Sequence, residues 1–335
     1  MKIAVDQLSN SNNFTSRFTK ALAACGHTVV RNDMSIKAMC DADVVLFHWP
    51  TLFLGNALRR DSWPGLLKLA AAKAISGTKV IWVAHNAVEH EGGPKDAFLR
   101  SGFLALLDGV IYLSNASRDI IRKQIELPAR VVEAVIPHGV YEFGDKPTPF
   151  SIEQSGSQAV RFLCFGLIRP YKGYEGLIEA ASSIGDRSVS IDIVGRSYDR
   201  TYAEKIETSA KKTGNVRTDF SEARIPDKEL NDRIDACHGV LLVHRNLLNS
   251  GVAIHALSRN RPILAPRLGS LPELQLMAGE DWVQLYDGDI GADAIDRFAH
   301  HVRSAGLHNA NLLPMQWHVI ERQLQTFLLS VGRSA

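Results

Sequence analysis

The sequence predicts an α/β protein that folds into two doubly wound domains, each a parallel sheet covered by helices on both faces. Three observations lead to this class. The 335 residues exceed the length of one typical domain and can bury two separate cores. Short β-branched runs alternate with helical stretches along the chain. A segment rich in turn formers, residues 141–158, separates two series of such runs and is predicted to be a linker.

Ten short apolar runs are predicted to be the strands, and helical stretches lie between them in both halves of the chain. This alternation is typical of parallel sheets. In chain order the runs are KIAV, DVVLFHW, KVIWVAH, GVIYLS and RVVEAVIPHG, then RFLCFG, SIDIVG, VRTDF, GVLLVH and PILAP.

The last stretch of the chain predicts an amphipathic helix whose apolar face must pack against the rest of the protein. We expect this helix to cross back to the first domain. Its apolar face consists of Leu313, Trp317, Ile320, Leu324 and either Phe327 or Leu328. The predicted boundaries are 1–145 for the first domain, 155–312 for the second domain and 313–335 for the C-terminal helix.

Composition limits the classes of function. The net charge of +2 is too small to indicate a nucleic-acid partner. No apolar run reaches the roughly 18 residues of a membrane span, and the start of the chain lacks the long apolar region of a signal peptide. We therefore expect a cytoplasmic protein. The scattered cysteines argue against a zinc site or a disulfide framework, and core positions are expected for Cys25, Cys40, Cys164 and Cys237.

Two cations lie at a predicted strand-to-helix turn in the second half. The stretch CFGLIRPYKGYEGLIEAA reads as a strand, a short turn that carries Arg169 and Lys172, and a helix. In open parallel sheets ligands collect at this edge, where helix N-termini offer free N–H groups to anions. Arginine offers a planar fork and lysine a mobile charge, so the pair suits a diphosphate. A solvated loop with ordinary surface cations is the alternative.

The stretch FGLIRPYKGYEGLIEA resembles the second domain of glycosyltransferases with the GT-B fold, particularly family 4 and related bacterial exopolysaccharide enzymes. Gly166, Arg169, Lys172 and Gly173 match the family signature. The resemblance implies that the arginine and the lysine bind the diphosphate of a nucleotide sugar beside Gly166. It continues in family order through IDIVGRSYD, NSGVAIHALSRNRPILAPRLGSLPEL and MQWHVIERQ, and it is stronger over residues 160–330 than before them.

The resemblance also implies the GT-B architecture, in which two Rossmann-like doubly wound domains face a cleft. The first domain would bind the acceptor and the second the nucleotide sugar. In the first domain, VIWVAHNAVEHE resembles the family's strand and loop that bear a histidine near the donor sugar. The stretch VIPHGVY resembles the end of that domain.

Two glutamates that family 4 enzymes usually carry around the last nucleotide-binding helix are missing, because Leu247 and His255 stand at their places. The stereochemical outcome of transfer therefore stays open. His255 either faces the ribose or is a satisfied helix histidine. The residues assigned to the nucleotide and its ribose are His255 and Glu273.

The stretch HRNLLNSG offers polar residues at a predicted helix start. Free N–H groups there can hold phosphate, and an asparagine or serine side chain there also caps the helix. We assign three residues of this stretch to the donor diphosphate: Asn249, Ser250 and Gly251.

Titratable side chains cluster after the run KVIWVAH. The stretch HNAVEHEGG places His85, Glu89 and Glu91 where the cleft of the GT-B fold would lie, and these are the catalytic candidates. The alternatives are a core histidine and solvated loop charges. The family positions phosphate with cations and helix ends, so we expect neither a metal nor another cofactor. Asp6 is a weaker candidate, because a carboxylate at a strand end often only caps the following turn.

The first turn of the chain, QLSNSNNFTSRF, lacks G-x-G-x-x-G, which argues against a dinucleotide dehydrogenase. Its residues Asn10, Asn12 and Asn13 are candidates for contact with acceptor hydroxyls, with an N-cap or Asx turn as the alternative. Residues 52–76 mix apolar side chains with arginine and lysine. That stretch either lies on an anionic membrane surface or is an ordinary amphipathic helix on the sheet.

These observations predict a hexosyltransferase that moves a sugar from a nucleotide diphosphate sugar to a glycan or polyprenyl-linked acceptor in bacterial exopolysaccharide or cell-envelope biosynthesis. Peripheral contact with the inner face of the cytoplasmic membrane would suit such an acceptor. One alternative is a nucleotide-sugar epimerase on the same fold, although it needs catalytic acids that the chain does not clearly supply. Another is a non-catalytic partner subunit of a glycosyltransferase complex, because the two glutamates are missing. The sequence does not identify the sugar, the base or the acceptor.

Overall fold

The computed structural model describes residues 1–6, 13–55, 59–85, 96–150, 159–307 and 309–333. The chain divides into two compact units. Unit 1 consists of Met1–Gly139 together with Leu313–Ala335, and unit 2 consists of Val140–Leu312. Each unit is built on its own parallel sheet, as the alternation of apolar runs and helical stretches predicts.

Unit 1 is built on a six-stranded sheet, counted over the residues described for it. Its strands are β1 (Lys2–Val5), β2 (Thr28–Arg31), β3 (Val44–Phe47), β4 (Lys79–Ala84), β5 (Gly109–Tyr112) and β6 (Val132–Val135). All neighbouring pairs are parallel, in the order β2-β1-β3-β4-β5-β6. The helices between them are α1 (Asn13–Ala24), α2 (Ile36–Cys40), α3 (Thr51–Leu54), α4 (Ser62–Ser76), α5 (Ala97–Leu106) and α6 (Asn115–Arg122).

The described part of unit 2 forms a second six-stranded parallel sheet. Its strands are β7 (Val160–Ile168), β8 (Val189–Ser197), β9 (Val216–Ser221), β10 (Gly239–Leu241), β11 (Ile263–Pro266) and β12 (Val283–Tyr286). Their order is β12-β11-β10-β7-β8-β9. The helices are α7 (Tyr174–Ser182), α8 (Arg200–Ala210), α9 (Asp227–Asp235), α10 (Gly251–Ser258), α11 (Leu271–Ala278) and α12 (Ala292–Ser304).

Burial follows the position of each strand in its sheet. Every residue of the inner strands β3 and β5 is buried, which explains why these strands read as continuous apolar runs. Two strands, β2 and β12, were not among the ten apolar runs predicted to be strands, and both lie at sheet edges. β2 has no fully buried residue and β12 only two, so neither carries the apolar signal of an inner strand.

The last helix, α13 (Trp317–Arg333), packs on unit 1. Phe327 and Val331 lie so close to the backbone of Gly109 in β5 that a Cβ there would be 2.7 Å and 3.0 Å from them. Trp317 likewise covers Gly139. The expectation that this amphipathic helix returns to the first domain is confirmed. None of the helices in the described ranges is both long enough and apolar enough to cross a membrane.

Residues 141–150, the first part of the turn-rich segment, are anchored within unit 2. Arg259 forms an ion pair with Asp145 at 3.0 Å and a second ion pair with Asp235. The Thr148 hydroxyl donates to Asp235 at 3.1 Å. The chain therefore belongs to unit 2 well before β7 begins.

Candidate functional site

The turn after β7 is shaped by one proline and one glycine. A single 3-10 turn, Pro170–Lys172, leads directly from β7 into α7. Pro170 takes the first position of that turn, where the missing N–H loses no hydrogen bond. Gly173 adopts a φ of 80°, and a Cβ there would lie 3.0 Å from the carbonyl oxygen of Val243. The sequence RPYKG therefore fixes the direction in which Lys172 leaves the sheet.

A pair of glycines makes room for Lys172. Gly166 in β7 pairs with Gly195 in β8. A Cβ on Gly166 would lie 3.1 Å from Lys172 Nζ, and a Cβ on Gly195 would overlap the carbonyl oxygen of Gly166. The ammonium therefore lies against bare backbone near the carboxyl end of β7. Gly166 was predicted from the motif around Lys172, whereas Gly195 was not, because its place at the end of the run SIDIVG was its only signal.

Lys172 is a buried cation with a relative exposure of 6%. Burial lowers the pKa of its ammonium from 10.5 to about 8, so it still carries its proton at pH 7. Within the ranges that the structure describes, no carboxylate pairs with it. A buried charge without a counter-ion is unfavourable, so an anion that reaches this ammonium is bound strongly.

Arg169 comes from the same turn. It is half-buried, and its Cζ lies 5.1 Å from the ring centroid of Tyr198, which directly follows β8. The three residues that the sequence analysis assigned to the diphosphate from this motif, Gly166, Arg169 and Lys172, thus lie together around one strand end.

The N-terminus of α10 lies beside the same glycine. In the first turn of α10, Val252 Cγ2 lies 3.6 Å from the position of a Cβ on Gly166. Ser250 is the N-cap, and its Oγ accepts a hydrogen bond from a backbone N–H of that turn at 3.2 Å. Asn249 is half-buried and directly precedes the cap, and Gly251 is the first helical residue. The structure therefore brings this helix start to the place where Lys172 lies.

His255 is buried in α10 and its contacts are internal. Its Nε2 lies 2.8 Å from Asn231 Oδ1, and its ring stacks on Tyr141 at a centroid distance of 4.9 Å and makes a tilted contact with Phe143 at 4.8 Å. Burial lowers the pKa of His255 to about 3, so the neutral ring donates its Nε2–H to Asn231. These are the features of a satisfied helix histidine. Glu273 lies half-buried in the first turn of α11, and the ribose role of both residues stays a prediction.

Three histidines of unit 1 lie around Phe14 of α1, and we refer to His48, His85 and His138 as the histidine cluster. His48 follows β3 and His85 follows the neighbouring strand β4, which brings His48 Nδ1 to 3.1 Å from His85 Nε2. The ring centroid of Phe14 is 5.1 Å from that of His85 and 4.5 Å from that of His138. Trp49 stacks on His85 at 4.4 Å. His48 and Trp49 were not among the predicted site residues, although both end the run DVVLFHW.

The histidine cluster is uncharged at pH 7. Burial lowers the pKa of His48 to about 3 and that of His138 to about 4. Burial also holds the pKa of His85 well below 6.5, and the neighbouring His48 and His138 add to this effect. These rings therefore act as neutral hydrogen-bonding groups. Among the described residues, no group of three or more histidine, cysteine, aspartate or glutamate side chains could hold a metal ion.

Asp6 holds the backbone of the histidine cluster in place. Its carboxylate accepts hydrogen bonds from the N–H groups of His48 and Trp49 at 2.9 Å and 3.2 Å. The sequence predicts that Asp6 caps the turn that follows it. That turn lies outside the described residues, so a cap there stays a prediction. Asp6 caps the turn after β3, because β1 and β3 are neighbours in the sheet. Asp6 thereby fixes two residues that contact His85.

One of the five remaining residues assigned to catalysis or acceptor binding lies within the described ranges. Asn13 is the half-buried first residue of α1. The other four lie outside the described residues: Asn10, Asn12, Glu89 and Glu91. The roles of all five residues in catalysis and acceptor binding stay predictions.

Similarity to solved structures identifies the fold of the chain. No family model matches the chain. It is similar to HepE of Anabaena in complex with UDP and glucose, with a TM-score of 0.68, 13% identity and coverage of 98% of this chain and 99% of that chain. It is also similar to sucrose-phosphate synthase of Thermosynechococcus elongatus, with a TM-score of 0.67, 15% identity and full coverage of both chains. The fold is therefore the GT-B fold of glycosyltransferases.

A curated relative then defines the family. GDP-mannose:glycolipid 4-beta-D-mannosyltransferase of Xanthomonas campestris pv. campestris is 30% identical to this chain, over 87% of this chain and 81% of the relative. The chain belongs to this family of glycosyltransferases, and it is an enzyme of the hexosyltransferase type. The resemblance inferred from the motif around Lys172 is confirmed.

Proposed function

We propose that the chain transfers a mannosyl group from GDP-mannose to a glycolipid, within bacterial exopolysaccharide or cell-envelope biosynthesis. The name of the Xanthomonas relative supports this choice of donor and acceptor. One observation carries the donor side of the proposal. Lys172 is buried and charged at pH 7, and the described residues offer it no carboxylate. A sugar diphosphate provides the negative charge that this ammonium lacks.

In this proposal unit 2 binds the donor. Lys172 and Arg169 neutralise the diphosphate, and the first N–H groups of α10, next to Gly166, add hydrogen bonds from backbone. During transfer the bond between the anomeric carbon and the diphosphate oxygen breaks, and negative charge grows on that oxygen. Fixed cations that face this oxygen stabilise the transition state more than the bound donor.

Unit 1 contributes uncharged groups. His85 is neutral at pH 7, so it suits a hydrogen bond to a sugar hydroxyl and is a weak base. The acceptor oxygen forms the new bond to the anomeric carbon, and its proton must pass to a base. The proposed candidates for that base are the carboxylates of Glu89 and Glu91. No metal or other cofactor is part of the proposal.

An exposed apolar stripe on α4 supports peripheral contact with the inner face of the cytoplasmic membrane. Trp63, Leu67 and Ile75 are exposed at helical spacing, and the exposed Arg59 and Arg60 lie just before the helix. Such a surface suits an anionic bilayer that carries a lipid-linked acceptor. Transfer to acceptor embedded in anionic vesicles should therefore fall when Leu67 and Ile75 are both changed to serine, whereas GDP binding should not change.

The experiment that tests the proposed function measures ligand binding first. A thermal-shift screen with UDP, GDP, ADP and CMP should show the largest stabilisation with GDP, because a ligand that binds only the folded state raises the melting temperature. Lys172→Ala should abolish the shift. Lys212→Ala, which removes an exposed lysine of the same unit, should retain it.

Transfer is measured next, with labelled GDP-mannose and a bacterial glycolipid fraction as acceptor. Folded wild-type protein that responds to no nucleoside diphosphate would contradict the donor site. A response to GDP without transfer to any acceptor would instead favour a non-catalytic partner subunit. A larger response to UDP than to GDP would overturn the choice of base and leave the donor site intact.

A further inference from the structure

One exposed aromatic ring gathers two guanidinium groups at the carboxyl edge of the unit 2 sheet. Tyr198 directly follows β8 and has a relative exposure of 56%. Its ring centroid lies 4.2 Å from Arg196 Cζ and 5.1 Å from Arg169 Cζ. Both distances are within the range of a cation–π contact. Arg196 is the penultimate residue of β8, so the ring joins cations from two neighbouring strands.

Neither guanidinium is neutralised by the part of the chain that the structure describes. Arg196 Nε donates to the carbonyl oxygen of Glu222 at 2.7 Å, and its terminal nitrogens form no ion pair with a described carboxylate. Arg169 likewise forms none within these ranges. Two other arginines of this unit differ, because Arg200 pairs with Glu204 at 2.8 Å and Arg233 with a neighbouring helix carboxylate at 2.7 Å. Uncompensated positive charge is thus concentrated at this strand edge.

Like charges held close together repel each other, and Lys172 adds a third cation to the same edge. An anion with several oxygens relieves this repulsion and accepts hydrogen bonds from each cation. A diphosphate has enough oxygens to face a lysine and two guanidinium forks at once.

We propose that Arg196 is a third cation of the donor site and binds the diphosphate directly, and that Tyr198 is a positioning residue for both Arg169 and Arg196. The inference rests on the proposed function, because the diphosphate is that of the sugar donor. It adds two residues to the motif of Arg169 and Lys172.

The aromatic ring explains how two arginines are kept ready for an anion. A guanidinium packs its flat face on the ring and keeps its N–H edge free for hydrogen bonds. A long side chain loses conformational freedom when it binds a ligand, and a side chain that is already held loses less. Tyr198 therefore raises affinity for the diphosphate without touching it.

A purely structural role for Arg196 is the competing explanation. Its Nε bond to Glu222 ties β8 to the segment that follows β9. That role predicts a change in stability, and any loss of affinity would be independent of salt. Direct contact with the diphosphate predicts a loss of affinity together with a weaker salt dependence, because salt screens a contact between charges.

The test for Arg196 is calorimetric titration of the full chain with GDP and with UDP, at low and at high salt. Arg196→Ala should weaken the affinity for the nucleotide that wild type binds by about ten- to a hundredfold. Its affinity should also fall less steeply with salt than that of wild type. The matched control is Arg200→Ala in the same unit, whose side chain is 85% exposed, and it should bind as wild type does.

The test for Tyr198 is a double-mutant cycle. Tyr198→Ala should weaken binding by about two- to tenfold, and Tyr198→Phe, which keeps the ring, should bind as wild type does. In an Arg169→Ala background, Tyr198→Ala should cost less affinity than in wild type, because only Arg196 is then left for the ring to position. Far-ultraviolet circular dichroism establishes that each variant is folded.

Each outcome decides one claim. Wild-type affinity in Arg196→Ala, or a reduced affinity with the wild-type salt dependence, overturns the direct contact. An equal loss from Tyr198→Ala in both backgrounds overturns its role in positioning Arg169. Folded wild-type protein that binds neither GDP nor UDP overturns the proposed function, and this inference fails with it.

Discussion

Two buried groups of titratable side chains differ in charge, although the same physical effect acts on both. In the histidine cluster of unit 1, burial lowers the pKa of His48 to about 3 and that of His138 to about 4. In unit 2, burial lowers the pKa of Lys172 to about 8. At pH 7 the imidazoles are therefore neutral and the ammonium is charged.

The difference follows from the pKa at which each residue type starts. Desolvation lowers the pKa of a histidine from 6.5, so a buried histidine is uncharged at neutral pH. It lowers the pKa of Lys172 from 10.5 only to about 8, so the lysine stays protonated. The buried lysine keeps a charge that needs an anion, and the buried histidines keep only hydrogen-bonding capacity. The proposed function assigns uncharged sugar hydroxyls to unit 1 and a diphosphate to unit 2 on the basis of this difference.

The largest expected effect that tests this comparison is loss of stability in acid. Because the folded pKa values of the histidine cluster lie below 6.5, its contribution to the free energy of unfolding is complete above pH 6.5 and declines as the pH falls toward 4. Each histidine should add a slope of up to about 1.4 kcal/mol per pH unit. Urea unfolding across this window should show a smaller slope for His48→Asn than for wild type. Equal slopes would contradict a neutral His48.

A smaller effect, of opposite direction, is expected from the lysine. Lys172→Met removes a buried charge without a described counter-ion, so it should raise the free energy of unfolding of the ligand-free protein at pH 7 by about 1–3 kcal/mol. The folded pKa lies below that of the unfolded chain, so wild-type stability rises between pH 8 and 10.5 and the gap between the two proteins closes there. Urea unfolding at neutral and alkaline pH measures this gap. A less stable Lys172→Met protein would show that the ammonium has a partner in the ligand-free state.

The smallest effect concerns the carboxylate that supports the cluster. Asp6→Ala leaves the N–H groups of His48 and Trp49 without their acceptor, so it should lower the free energy of unfolding by about 1–2 kcal/mol. Asp6→Asn, which keeps one acceptor oxygen, should lose less. Thermal unfolding of the two variants beside the exposed-surface control Asp41→Asn measures the difference. If Asp6→Ala were as stable as the control, Asp6 would not hold this turn.

Much of the fold could be predicted because the signals are local. The inner strands are buried on both faces and read as apolar runs. The turn RPYKG contains the proline and the glycine that its backbone conformation requires. The edge strands β2 and β12 were missed, although the similarly exposed edge strands β6 and β9 were found, so partial burial weakens the apolar signal of a strand without removing it. Their existence depends on a neighbouring strand that offers hydrogen bonds.

The candidate site could be predicted only in part. Arg169 and Lys172 were found because they are close in sequence and match a family motif. Arg196 and Tyr198 were missed because they follow a different strand and reach Arg169 only through the pairing of β7 with β8. His48 was missed for the same reason, since it meets His85 only across β3 and β4.

The sequence by itself determined the alternation of strands and helices, the position of the turn that carries Arg169 and Lys172, and the family of the enzyme, because each depends on residues that are close along the chain. Tertiary structure decided which side chains lose water and which meet across neighbouring strands. Those two outcomes set the charge of Lys172, the neutrality of the histidine cluster and the partners of Tyr198. Desolvation and contact between strands depend on the packing of distant segments, and no short stretch of sequence contains that information.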